Sequence, residues 1–188
     1  RNAMKICIDP GHGMSNRKLG TYDPGATHTE NGTTYEEATI ALRYGLTLKD
    51  ILRARGIETF MTRDDADDNA PVGMRARNAR AVGCDAFISF HLNDAEADQA
   101  NGLEILYGNA NSAELAQDLL SVLLRTTRFK NRGTVLRPDL AVLKFRGPAA
   151  LIELGFIAND GDREKVLDPA MRQLICRDVA DVVTQHLL

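Results

Sequence analysis

The sequence predicts an α/β fold: a single domain with a mostly parallel, twisted central sheet of about six strands and helices on both faces. Three observations carry this expectation. Short apolar runs alternate with segments of helical period, the pattern of helices packed on a parallel sheet. The 188 residues match one domain. One run, Pro148–Glu153 (PAALIE), is almost continuously apolar, as a strand covered on both faces would be.

The elements follow in order. Lys5–Asp9 (KICID) reads as a buried strand ending in the turn Pro10-Gly11-His12-Gly13. Met14 to Gly32, rich in Gly, Thr, Asn and Asp, reads as a long surface loop. A helix from about Tyr35 to Arg55 follows, stopped by Gly56. Ile57–Thr62 is the next strand, Arg63 to Val72 a polar loop, and Met74 to Val82 a helix ended by Gly83. Asp85–Phe90 is a strand running into His91-Leu92-Asn93, and Gly102–Tyr107 is another. Asn111 or Ser112 caps a helix carrying Leu115, Leu119, Leu120 and Leu123. Thr127 to Phe145 shows no clear period. Asp168-Pro169 opens the last helix with a cap and an N1 proline, and its apolar stripe is Leu174, Ile175, Val179, Val182, Val183 and Leu187.

Composition narrows the function. Apolar residues are 44% and charged residues 26%, ordinary globular usage. Lys and Arg total 23 against 26 Asp and Glu, a net charge of -3, which argues against a protein built to grip nucleic acid. Cys7, Cys84 and Cys176 are widely spaced and form no disulfide framework or CxxC pattern. No run spans a membrane. The chain opens almost at once on a strand, so no signal peptide is expected. Arg1-Asn2-Ala3 ahead of Met4 reads as a cloning remnant, leaving residues 4–188 as the domain.

Only four histidines occur: His12, His28, His91 and His186. His12 and His91 follow predicted strands, and functional groups gather at the carboxyl ends of strands in such sheets. Two imidazoles converging there suit a metal. Glu37 lies on the inward stripe of the first helix with Ile40, Ala41, Tyr44, Leu48 and Ile51, with Glu36 at its edge. An inward carboxylate must be paired, protonated or metal-bound. Thr34-x-x-Glu37 is also a capping-box pattern, so both readings of Glu37 stand. Glu153 ends the apolar run AALIE; it is either a strand-end carboxylate turned to solvent or a general base beside a metal site. Two histidines, a carboxylate, an open position and a separate Glu compose a metal-hydrolase constellation. Zinc with three protein ligands brings its bound water to a pKa of about 7.

The motifs IDPGHG (Ile8–Gly13), DPGA (Asp23–Ala26), the Glu37 helix, Thr62-Arg63, R-x-x-x-A (Arg77–Ala81), FISFHLNDA (Phe87–Ala95), GLEILY and LIELGFIAND (Leu151–Asp160) occur in one order. Together, over Lys5 to Leu187, they resemble the zinc-dependent N-acetylmuramoyl-L-alanine amidases of the Amidase_3 type. The resemblance implies one Zn²⁺ held by His12, Glu37 and His91, with water or hydroxide in the open position. It implies Glu153 as the catalytic glutamate and Asn93 as a substrate contact. The substrate would be peptidoglycan, cut between N-acetylmuramic acid and the L-alanine of the stem peptide at the bacterial cell wall. A monomer is expected, in either a phage-type lysis enzyme or a trimmed autolysin domain. Two departures stand out: Met14 to Tyr22 intervene before DPGA, and Ala38 replaces a common Lys. The alternatives are a zinc hydrolase of another amide or peptide, and a non-catalytic peptidoglycan-binding homologue.

Overall fold

The computed structural model describes residues 3–96 and 99–188; Arg1 and Asn2 of the expected leading remnant lie outside the described residues. Its strands are β1 (Lys5–Pro10), β2 (Gly13–Met14), β3 (Tyr22–Asp23), β4 (Thr27–Glu30), β5 (Thr33–Glu36), β6 (Glu58–Met61), β7 (Ala86–Asn93), β8 (Leu103–Tyr107), β9 (Asn131–Leu136) and β10 (Ala149–Phe156). Its helices are α1 (Glu37–Ala54), α2 (Val72–Ala81), α3 (Ala113–Thr127), α4 (Asp160–Leu167) and α5 (Pro169–His186).

Six strands form the central sheet in the order β6-β1-β7-β10-β8-β9. All neighbouring pairs are parallel except β10 with β8. The apolar run of β10 lies inside the sheet, between β7 and β8. Strand alternation sorts the side chains between two layers. Ile6, Ile8, Ile88, Phe90, Ala150 and Ile152 face the larger core with residues of α1, α3 and α5. Cys7, Phe87, Ala149 and Leu151 face a smaller one with Ala79 of α2 and Val142, Leu143 and Phe145 at the 3-10 turn Ala141–Lys144. By the same alternation Asp9, Ser89, His91 and Glu153 point to the α2 side.

The expected loop from Met14 to Gly32 is instead built from two small hairpins, β2-β3 and β4-β5. Asn31 and Gly32 both take positive φ (50° and 78°), the geometry of a tight hairpin turn that Asn-Gly favours. The Thr-Thr-Tyr run pairs there as strand, so α1 starts at Glu37 rather than Tyr35. Its N-cap is Glu36, with no side-chain capping bond, and Thr34 bonds Thr29 instead; the capping-box reading of Glu37 does not hold. Leu174 is 46% exposed, because its row on α5 is the polar one of Asp178, Asp181 and Gln185. The cap of α5 forms as expected, Asp168 accepting from the Ala170 amide. Helix α4 had no apolar period to announce it; Asn159 caps it by accepting from Asp162 N. Among the described residues, no helix is long and apolar enough to cross a membrane.

Candidate metal centre

Three elements deliver three donors to one point at the carboxyl ends of β1 and β7. His12 sits on the turn after β1, His91 within β7 and Glu37 at the first position of α1. Their donor atoms all lie within 4.8 Å of one another. Glu37 Oε2 lies 3.0 Å from His12 Nε2 and 3.1 Å from His91 Nδ1. Ligands at ordinary bond lengths around a tetrahedral zinc stand roughly 3.3 Å apart, so two imidazoles and a carboxylate at this spacing fit such an ion. Two other groups of donors also lie close together. In His28, Glu30 and Asp160, however, both carboxylates are taken by Arg163, and Asp64, Asp65 and Asp68 form a surface cluster.

Glu37 is only 3% exposed and held at both oxygens. Ala26 N donates to Oε1 at 2.9 Å and Leu92 N to Oε2 at 2.9 Å. Burial would raise its pKa, but the hydrogen bonds and charges of His12 and His91 outweigh burial and hold it well below the usual carboxylate range. Burial likewise works against a charged His12, and Glu37 and Asp23 reverse this, raising its pKa. Close packing around the cluster needs missing side chains. A Cβ on Gly11 would lie 2.4 Å from the His91 ring, and one on Gly25 (φ 69°) would lie 2.6 Å from Glu37 Oε1 and 2.8 Å from His12 Cδ2.

Glu153 lies across the strand register from His91, on the same face. Its Oε2 is buried without a hydrogen-bond partner among the described residues. Burial, with further repulsion from Glu37 and Glu104, pushes its carboxyl up to about 7 despite the attraction of His91. Glu153 is half-buried overall, with Oε2 as the oxygen turned away from solvent. Asn93 ends β7 on the His91 face. The remaining histidines stand apart: His28 in the β4-β5 hairpin, and His186 at the end of α5 against Asp118.

Sequence reasoning missed the groups that hold this centre. Asp23, the first residue of DPGA at the end of β3, places Oδ2 2.8 Å from His12 Nδ1 and also receives Asn16 Nδ2 and Gly25 N. Arg75 and Arg63 are buried beneath the turn. Arg75 donates to Pro10 O and His12 O and pairs with buried Asp9; Arg63 donates to Pro10 O, Gly11 O and Ala38 O. The arginine of the α2 motif that faces the sheet is thus Arg75, four before buried Ala79, while Arg77 is exposed. A cavity of about 290 Å³ opens beside the centre, lined by His12, His91, Asn16, Arg17, Val72 and Ala141 among others.

Comparison with known proteins gives one consistent answer. The family model described as N-acetylmuramoyl-L-alanine amidase matches residues 6–185. A probable cell wall amidase LytH of Staphylococcus epidermidis is 29% identical over 181 residues, covering 96% of this chain; the chain spans 57% of that relative's length. The catalytic domain of CwlV, an N-acetylmuramoyl-L-alanine amidase from Bacillus (Paenibacillus) polymyxa var. colistinus, superposes with a TM-score of 0.86 at 25% identity, covering 98% of each chain. The N-acetylmuramoyl-L-alanine amidase of Clostridium difficile 630 gives a TM-score of 0.86 at 26% identity, covering 100% of this chain and 98% of its own.

Proposed function

The chain belongs to the N-acetylmuramoyl-L-alanine amidase family, and on that premise we propose that residues 4–188 form a catalytic domain acting on peptidoglycan at the bacterial cell wall. It hydrolyses the amide between the lactyl group of N-acetylmuramic acid and the L-alanine of the stem peptide. The observation that supports this most is the convergence of His12, Glu37 and His91, with unpartnered Glu153 across the strand from His91.

In this reading His12 through Nε2, Glu37 through Oε2 and His91 hold one Zn²⁺. When bound, the ion acidifies water and polarises the scissile carbonyl. Asp23 accepts the proton of His12 Nδ1, which leaves the lone pair of Nε2 free and fixes the ring. The amides of Ala26 and Leu92 fix the Glu37 carboxylate in the same way. Glu153 removes a proton from the attacking water and delivers one to the L-alanine nitrogen as it leaves. Its raised pKa, about 7, suits a group that must both accept and return a proton near neutrality. Asn93, at the end of β7, contacts the substrate beside the centre.

Digestion of purified peptidoglycan with mass spectrometry of the products tests this. Free stem peptides with an L-alanine amino terminus and intact glycan are expected. Glycan fragments or cut cross-bridges refute it.

A further inference from the structure

We infer that a basic groove beside the metal centre, walled by Arg77 and Arg80 on one side and Lys144 and Arg146 on the other, binds the carboxylates of the stem peptide. The inference rests on the amidase reading above.

The groove encloses about 440 Å³ between α2 and the 3-10 turn Ala141–Lys144. Its lining holds four cations and no carboxylate. That is a local excess on a chain whose net charge is -3. Helix geometry produces it: Arg75 and Ala79 face the sheet, while Arg77 and Arg80, three apart, share an outward face. Among the described residues, the side chains of Arg77, Arg80 and Arg146 have no hydrogen bond or ion pair. Lys144 feels the field of Asp139, whose carboxylate is already held by Arg137. Four like charges around one concavity repel each other and focus a field that attracts an anion.

Position identifies the anion. Ala141 lines both this groove and the cavity beside His12 and His91, and Val72 and Gly73 continue one wall into the other. A ligand whose reacting amide sits at the metal centre can therefore run on into the groove. The stem peptide leaves that amide as an extended chain, roughly 3.3–3.6 Å per residue, with one carboxylate on its second residue and another at its end. The groove's other surfaces, Ala76 and Phe145, are apolar and suit peptide carbon.

The test is fluorescence anisotropy with a dye-labelled tetrapeptide, L-Ala-γ-D-Glu-L-Lys-D-Ala, and the same peptide with both carboxyls amidated. The parent protein is compared with Arg77→Gln/Arg80→Gln and with Lys144→Gln/Arg146→Gln, all exposed positions, each checked for parental thermal unfolding. Each pair should weaken the acidic peptide about fivefold or more, the scale of two exposed charge contacts, and leave the amidated peptide unchanged. Salt should erase the parent's preference for the acidic peptide. Equal binding of both peptides by the parent, no binding at millimolar peptide, or equal weakening of both by the variants overturns the inference. So does tighter binding of a glycerol-phosphate polymer that the same variants abolish, which assigns the groove to a wall polyanion. The peptide is the product, so its binding does not depend on turnover. A parent that binds it through these cations but releases none from peptidoglycan refutes the amidase reading and leaves the groove standing.

Discussion

Asp23 and His12 form a carboxylate–imidazole pair: Asp23 Oδ2 lies 2.8 Å from His12 Nδ1, while Nε2 of the same ring faces Glu37 at 3.0 Å. The pair orients a ring that sits on a residue with positive φ (67°), an uncommon conformation outside glycine. Asp23→Ala should therefore weaken zinc binding about 10–100-fold, the usual effect of losing a partner behind a ligand histidine. His12→Ala and His91→Ala should go further and abolish stoichiometric zinc. Competition against a calibrated chelator measures both. Parental zinc affinity in Asp23→Ala makes the pair a loop fastener only.

Glu36 and Glu37 are adjacent acids with opposite fates. Glu37 is buried against both histidines; Glu36 is the partly exposed N-cap of α1, and its carboxylate accepts from the Thr39 hydroxyl. Glu37→Gln keeps the shape but removes the charge, and should lose zinc and activity together. Glu36→Gln should change stability by a few tenths of a kcal/mol, a helix-terminus effect. Metal analysis of the two purified variants decides; zinc lost from Glu36→Gln and kept by Glu37→Gln reverses the assignment.

The two glutamates also show how much could be read beforehand. Glu37 was legible because α1 has a strong stripe, Ile40, Tyr44 and Leu48, that fixes which side faces the sheet. β1, β7 and β10 were legible as apolar runs, and their order at the centre of the sheet puts His91 beside Glu153. The hairpins between Gly13 and Glu36 were not, since strands of two to four half-exposed residues carry no apolar period. Asp23 stood in the DPGA motif, but its role behind His12 was lost with them: its partner is eleven residues away and is brought to it by hairpin pairing. Arg63 was legible only as part of Thr62-Arg63, and Arg75 carried no signal of its own. They are buried because backbone carbonyls of the Pro10–His12 turn, exposed by no sequence signal, need donors.

Glu153 stands across from His91, and its Oε2 is buried with no hydrogen-bond partner among the described residues. Glu153→Gln keeps its volume and cannot take up a proton. It should retain zinc and lose roughly 100-fold or more in turnover on peptidoglycan. Release of stem peptide, measured alongside metal content, separates the two effects. Near-parental turnover with zinc bound makes Glu153 structural.

The last prediction concerns the support under the centre. Asp9 is fully buried and accepts from Arg75 Nη1 at 3.1 Å, Thr62 Oγ1 at 2.7 Å and Ser89 Oγ at 2.6 Å. Burial alone would raise its pKa; Arg75, Ser89 and Thr62 together outweigh burial and lower it below 3.8. A folded pKa below the unfolded one means the unfolded chain binds the proton first. The pair's contribution is then present above about pH 4 and fades as pH falls through the folded value. Arg75→Met removes the counter-charge and leaves burial in command, which should cost about 3–5 kcal/mol at pH 7, the scale for stranding a buried charge. In that variant Asp9 titrates above its unfolded value, so acidification toward pH 4 should restore part of the loss. Denaturant unfolding of parent and variant from pH 7 to pH 4 should show the stability gap narrowing. A gap that stays constant over that range means Arg75 acts through the carbonyls of Pro10 and His12 alone, and the charge on Asp9 is immaterial.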